Sequence, residues 1–386
     1  MTITVCAITG SRADYGLLKG LLRRIRESSR LTLQLLVTGS HFSSMHDETY
    51  REIESDGHIM DKKIDLDLSG DTSLDVTLAT SECLRRVGVA LEQLKPDVVL
   101  VLGDRYEVFA STVAAMLGGY PIAHLHGGES TEGAIDEAMR HSITKMAHLH
   151  FVAAKSYAER VIQLGENPAR VFNVGSIGID NIHETKWLSK DELENYLGFR
   201  FRQRNLLATF HPVTLEKNSG RAQVCELLKA LEQFEDLSVV FTQPNADTEN
   251  SGIKEEIIDY VASRENSTFF ESLGNTHYLS CLRFVDGVIG NSSSGFTEVP
   301  TMKKGTINIG DRQKGRLAAD SVINCLADKE SICEAIEKMY SPQFQAQLAC
   351  VENPYGGPGA ANRIVKILEE CSYDDLLKKQ FFTSQP

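Results

Sequence analysis

The sequence predicts an α/β protein made of two doubly wound parallel-sheet halves joined at a crossover. Short runs rich in valine, leucine and isoleucine, such as Val98–Leu102, read as strands buried on both faces. Amphipathic stretches with helical spacing alternate with these runs, which is the order that parallel βαβ units require. The alternation restarts after the glycine-rich Gly175–Asp180. Domains are therefore expected at 1–178 and 179–362, with a helix and tail over 363–386. Two such halves imply a cleft between them, and in open parallel sheets ligands bind beyond the carboxyl ends of the strands.

The first half opens with a strand over Thr2–Thr9, the turn Gly10–Gly16 and a helix over Leu17–Ile25. Further strands are expected at Leu31–Val37, near Lys62–Leu66, and at Val98–Leu102, Pro121–His126, His150–Ala153 and Val171–Val174. Helices are expected around Glu48–Asp56, from Leu74 to Leu94, up to Leu117, and over Ser156–Leu164. In the second half a single helical stretch, Asn181–Leu197, precedes strands at Arg204–Thr209, Leu237–Thr242, Ser267–Glu271, Gly287–Ile289 and Thr306–Ile309. Helices there are predicted over Arg221–Gln233, Ile253–Ser263 and around Tyr278–Cys281. A last helix runs over Ala360–Cys371.

Composition narrows the function. Of 386 residues, 42% are hydrophobic and 24% charged, as in ordinary globular proteins. A formal net charge of −13 leaves no basic surplus for neutralising phosphates, so nucleic acid is not an expected partner. No apolar run reaches the ~18 residues that a membrane span needs, and no membrane partner is expected. The eight cysteines form no CxxC pair; buried free thiols in a reducing cytoplasm are expected, with no metal.

Chemistry concentrates at strand ends. Gly103-Asp104-Arg105 follows one buried strand, and Gly127-Gly128 follows the next. Glu129, Glu132, Asp136, Glu137, Arg140 and His141 crowd the stretch behind them. Acids whose pKa values are pushed apart can serve as acid and base in one site, and Asp104 is the strongest candidate. Glu132 and Glu137 read as a solvated helix face. His124 and His126, two apart, would share one face of a strand. Around Arg12 and Asp14, a strand, glycine turn and helix start could present backbone N–H groups to an anion; a plain turn with those two as a solvated pair is the alternative. Neither a dinucleotide fingerprint nor a phosphate-binding P-loop is present, so no nicotinamide or ATP cofactor is expected. A second anion site is expected at Gly290–Gly295, where Ser292, Ser293 and Ser294 follow a strand, with Glu298 a turn further on and Arg312 at the next strand end. Simple helix capping by the serines is the alternative. His211 follows a strand end and precedes a proline, as an ordinary loop histidine also would.

Seven ordered motifs then carry a resemblance over nearly the whole chain: SRADYG, LGDRYEV, HLHGGESTEGAIDEAMRHSITKMAHLHF, FHPVT, PNAD, GNSSSG with Glu298, and NIGDRQKGR. Together they resemble the UDP-N-acetylglucosamine 2-epimerases, in particular the hydrolysing branch of bacterial sialic and legionaminic acid pathways. The resemblance implies a GT-B-like architecture of two Rossmann-like domains, with a C-terminal helix returning to the first. It implies UDP-sugar contacts at Arg12, Asn245, Ser292, Ser293, Glu298 and Arg312, with His211 beside the diphosphate; Asp14 and Arg105, at the same strand ends as Arg12 and Asp104, are expected to join them in substrate binding. Catalytic carboxylates are implied at Asp104 and Asp136. Many relatives carry glutamate where this chain has His126. Either Glu129 substitutes for it or His126 is itself the proton carrier. The implied substrate is a UDP-N-acetylhexosamine, UDP-GlcNAc or its 2,4-diacetamido-6-deoxy analogue UDP-N,N'-diacetylbacillosamine. No cofactor is implied, and relatives assemble as homodimers or homotetramers. A UDP-sugar glycosyltransferase and a non-catalytic UDP-sugar sensor are the rivals on the same motifs.

Overall fold

The computed structural model describes residues 2–42, 49–66, 70, 72–132, 134–212, 219–243 and 250–383. The chain divides into two compact units. Unit 1 comprises Met1–Glu129, Asp136–His183 and Tyr355–Pro386; unit 2 comprises Ser130–Ile135 and Glu184–Pro354.

Unit 1 holds β1 (Ile3–Thr9), β2 (Leu31–Val37), β3 (Lys62–Lys63), β4 (Val98–Leu102), β5 (Ile122–Leu125), β6 (Leu149–Val152) and β7 (Val171–Asn173). These form one parallel sheet in the order β3-β2-β1-β4-β5-β6-β7. Its helices are α1 (Arg12–Glu27), α2 (Tyr50–Ser55), α3 (Ser73–Leu94), α4 (Tyr106–Leu117), α5 (Asp136–Met146), α6 (Lys155–Gln163) and α7 (Ile177–Glu184). Every residue of β4 is buried, and successive side chains enter opposite cores. Leu100 and Leu102 pack on the side of Leu18, Leu22 and Ile25 from α1. Val99 and Val101 pack on the side of Val87 and Leu91 from α3 and Val108 from α4. That two-sided burial is why the strand shows no polar alternation, and each fully buried leucine or isoleucine contributes about 1.5–3 kcal/mol. Helix α3 starts on a Thr72–Asp75 capping box and ends at Lys95, whose left-handed backbone precedes Pro96.

Unit 2 holds α8 (Lys190–Leu197), β8 (Arg204–Thr209), α9 (Ser219–Leu231), β9 (Leu237–Thr242), α10 (Asn250–Ala262), β10 (Ser267–Phe270), α11 (Gly274–Phe284), β11 (Gly287–Gly290) and α12 (Ser294–Thr297). After these come β12 (Gly305–Ile309), β13 (Val322–Cys325), α13 (Lys329–Met339) and α14 (Pro342–Leu348). The sheet is parallel throughout, in the order β10-β9-β8-β11-β12-β13. Leu206, Val239, Phe241 and Ile307 meet Val224, Leu227, Ile253 and Ile336 in its core.

The chain then returns to unit 1 with α15 (Ala360–Glu370). Ala360, Ile364 and Leu368 join the core formed by β1, β4 and α1. Both sheets are thus doubly wound, as the alternation of strands and helices predicts.

Three differences from the sequence expectation have local causes. The stretch predicted as one helix over Asn181–Leu197 is two helices: Ser189 starts a new one, accepting from the Glu192 N–H in a reciprocal capping box. The elements β13, α13 and α14 went unpredicted; β13 has a mixed burial pattern without a continuous apolar run. The eight cysteines are free, but only Cys6, Cys83 and Cys281 are buried; Cys225, Cys325, Cys333 and Cys371 are half-buried and Cys350 is exposed. Among the described residues no helix is long and apolar enough to cross a membrane, and no group of three or more His, Cys, Asp or Glu is arranged to hold a metal ion.

Candidate active site

In each sheet the strand order reverses once, between β1 and β4 in unit 1 and between β8 and β11 in unit 2. Crevices beyond the carboxyl ends of strands form at such switch points, and most of the predicted site residues sit there.

At the end of β1, Ser11 accepts a hydrogen bond from the Asp14 N–H (3.3 Å) and starts α1 with Arg12 in its first turn. Asp14 is not a solvated partner of Arg12. It is 9% exposed, and its Oδ2 is buried without a hydrogen-bond partner. Burial pushes its pKa up to about 7; Arg105 opposes the shift, whereas Glu107 and Asp104 add to it. At the end of β4, Arg105 Nε donates to Glu107 Oε1 (2.7 Å), and Glu107 is 1% exposed with Oε2 unpartnered. A Cβ on Gly10 would lie 2.3 Å from Glu107 Cγ, so only glycine lets β1 end against this acid. Glu107 escaped the sequence reading. Its one available signal was an acid two places after Arg105, opening an otherwise apolar helix.

Asp104 pairs not with its neighbour Arg105 but with Arg140 Nη2 from α5. Arg140 is 2% exposed and also donates through Nη1 to Glu137 Oε2 (2.7 Å) and to the Glu129 carbonyl (3.0 Å). Glu137 is therefore no solvated helix face; it also meets His141 Nε2 at 3.1 Å. Asp136 is half-buried at the first position of α5. Burying a guanidinium requires its donors to be matched, and Arg140 ties the ends of β4 and β5 to α5.

His124 and His126 do not share a strand face, because β5 stops at Leu125 and His126 takes a left-handed backbone (φ 63°). Such a conformation in a non-glycine residue costs on the order of 1–3 kcal/mol and clusters at functional sites. His124 is structural: Nε2 lies 2.8 Å from the Gly103 carbonyl, Nδ1 lies 3.2 Å from the Thr144 hydroxyl, and burial lowers its pKa to about 3. His126 instead places Nδ1 2.7 Å from Glu129 Oε1 and leaves Nε2 buried without a partner.

In unit 2, His211 follows β8 and is buried, 5% exposed, unlike an ordinary loop histidine. Its N–H donates to Asn291 Oδ1 (2.6 Å) and its carbonyl accepts from Asn291 Nδ2 (2.8 Å). The Asn291 carbonyl accepts from Arg312 Nη1 (3.1 Å) and Gln313 Nε2 (2.8 Å). Asn291 therefore ties the ends of β8, β11 and β12 together, and neither it nor Gln313 stood out in the sequence. Ser293 makes no side-chain cap on α12, but Ser292 Oγ accepts from the Ser294 N–H at its start (3.4 Å), so capping accounts for one of the three serines. Tyr278, half-buried on α11, donates its hydroxyl to Ser294 Oγ (2.7 Å) and fixes that side chain. Glu298 ends α12 and accepts from the Thr297 hydroxyl at 3.2 Å. At Gly290 (φ 135°) a Cβ would fall 2.0 Å from the Thr209 carbonyl, so only glycine lets β11 close against β8 here. Asn245 lies outside the described residues.

A family model described as UDP-N-acetylglucosamine 2-epimerase matches residues 23–369. The chain belongs to that family. Within it, this chain is 38% identical over 379 residues to the GDP/UDP-N,N'-diacetylbacillosamine 2-epimerase (hydrolyzing) of Campylobacter jejuni, covering 98% of both chains. It is also 38% identical over 364 residues to polysialic acid biosynthesis protein P7 of Escherichia coli, covering 94% of this chain and 93% of that one. Among solved family structures, the UDP-GlcNAc 2-epimerase from Neisseria meningitidis bound to UDP-GlcNAc superposes with a TM-score of 0.81. That match covers 95% of this chain and 99% of the other at 18% identity, and it shows the GT-B-like fold of two Rossmann-like parallel sheets.

Proposed function

We propose that the protein is a hydrolysing UDP-N-acetylhexosamine 2-epimerase, releasing UDP and a free 2-acetamido sugar inverted at C2. The observation that carries this is the cluster of acids and bases at the carboxyl ends of β1, β4 and β5 in unit 1. Asp104 is locked by Arg140, His126 is paired with Glu129, and Asp14 and Glu107 are buried with unpartnered oxygens. A sensor or a transferase needs a nucleotide contact but not this set of acids and bases.

In this reading Ser292, Ser293, Glu298 and Arg312 hold the nucleotide with Asn245, and His211 lies beside the diphosphate. Arg12, Asp14 and Arg105 complete the substrate contacts. A protonated Asp14 would donate to an anionic oxygen rather than repel it. A base removes the C2 proton; the C–H electron pair becomes the C1=C2 bond, and the C1–O bond breaks with its pair leaving on UDP. Water then adds across the 2-acetamidoglycal, hydroxyl to C1 and proton to the opposite face of C2. In this reading Asp104 and Asp136 are the carboxylates that take part in this proton traffic, and His126 or Glu129 is the further carrier. Positioned acids and bases of this kind contribute typically 10²–10⁴-fold each. The product is N-acetylmannosamine or its 2,4-diacetamido-6-deoxy analogue, feeding nonulosonic acid synthesis by a homo-oligomer in the cytoplasm.

The name of the Campylobacter relative favours UDP-N,N'-diacetylbacillosamine as a second candidate substrate. Incubation with each UDP-sugar in D₂O, followed by NMR, is expected to show UDP and a free manno-configured sugar deuterated at C2 from one of them. A stable UDP-ManNAc product, or retention of the original C2 hydrogen, would refute the hydrolysing elimination.

A further inference from the structure

Resting on the epimerase reading above, we propose that His126 is the base that takes the sugar C2 proton, through Nε2, with Glu129 as its positioning partner.

Four observations converge on this residue. The His126 N–H donates to the Phe151 carbonyl (2.9 Å), so the backbone is anchored to β6 just where it turns left-handed. That turn removes the side chain from the inside–outside alternation that keeps His124 in the sheet. On the ring, Glu129 Oε1 stands 2.7 Å from Nδ1. A carboxylate there holds the proton on Nδ1, and Nε2 keeps its lone pair as the accepting atom. Finally, Nε2 is buried and makes no hydrogen bond, whereas both ring nitrogens of His124 and of His41 are engaged by neighbours.

Asp104 is the weaker candidate for this step because one of its oxygens is already engaged by the buried Arg140. Glu129 is weaker for the same reason, with Oε1 committed to His126 and its carbonyl to Arg140. A neutral imidazole backed by a carboxylate can take a proton and stabilise the resulting imidazolium, the division of labour seen in nucleophile–histidine–carboxylate sites. Here Nε2 accepts the C2 proton as the C1=C2 bond forms and UDP departs. The imidazolium then loses that proton to solvent, while the C2 proton of the product comes from a carboxylic acid on the other face.

The test uses two His126 variants that suit a left-handed backbone, so that lost activity does not come from backbone strain. His126→Asn should lose at least a hundredfold in kcat while its UDP affinity, measured by calorimetry, stays within threefold. His126→Gly should be equally slow and recover at least tenfold in added imidazole, with C2 deuteration in D₂O returning alongside UDP release. Glu129→Gln, which keeps an acceptor for Nδ1–H, should remain at least tenfold faster than His126→Asn. Turnover of His126→Asn within threefold of wild type, a His126→Gly protein that imidazole does not revive, or Glu129→Gln slower than His126→Asn would overturn the assignment. Wild-type activity is the reference: if wild type makes no free sugar, the epimerase reading falls and this assignment with it.

Discussion

At the residue scale, Asp14 gives the clearest linkage between structure and pH. Its folded-state pKa of about 7 lies above the ~3.9 of an unfolded aspartate. The folded protein therefore binds this proton more tightly than the unfolded chain does. Stability falls as pH rises through roughly 4 to 7, and the loss is complete above that window. Asp14→Asn removes the penalty without changing the size of the side chain. It should raise unfolding free energy at pH 8 by on the order of 1–3 kcal/mol and by almost nothing at pH 4. Denaturation curves of both proteins at the two pH values check this; an equal difference at both would place the effect in packing rather than in charge. The same variant loses a proposed substrate contact, so a more stable protein should be a poorer catalyst, the trade that functional sites commonly impose.

At the element scale, the instructive case is α15, whose start is capped by a side chain from far away in sequence. The Asp180 carboxylate accepts from the N–H groups of Gly359, Ala360 and Ala361, the last at 2.7 Å. These are donors that a helix leaves unsatisfied at its N-terminus. Asp180→Ala orphans all three beside a 4%-exposed position and should cost about 2–3 kcal/mol in urea denaturation. A change below 0.5 kcal/mol would mean that water replaces the carboxylate. No local sequence signal connects Asp180 to Gly359, and much of the site is hidden in the same way. The strand Val98–Leu102 was legible residue for residue, because burial on both faces writes a continuous apolar run. Asp104, Arg105 and the serine loop were legible because glycine punctuates strand ends. The pairing of Asp104 with Arg140, the burial of Glu107 and the tie made by Asn291 were not: each depends on which strands the crossovers bring side by side. The left-handed turn at His126 was hidden too, since alternation alone places it on the same face as His124.

At the scale of the whole molecule, the two units differ in how the chain builds them. Unit 2 takes almost everything from one continuous stretch, while unit 1 needs three. A chain ending at Pro354 would remove Ala360, Ile364 and Leu368 from the unit 1 core and nothing from unit 2. The single tryptophan, Trp187, lies in unit 2 and packs under the Arg283 guanidinium, so its fluorescence follows that unit alone. In the truncated chain Trp187 should keep a cooperative urea transition, while far-UV circular dichroism loses the share contributed by unit 1. Loss of the Trp187 transition as well would show that unit 2 cannot stand without unit 1.

The late return of α15 also has a consequence for how the protein is made. A ribosome finishes the seven strands of the first sheet, then spends about ten to thirty seconds on residues 184–354 at ordinary elongation rates. Through that interval Leu18, Leu22 and their neighbours lack the helix that covers them in the finished protein. The domain begun first is completed last, and the nascent chain carries an uncovered apolar face for chaperones to shield until Tyr355–Pro386 has emerged.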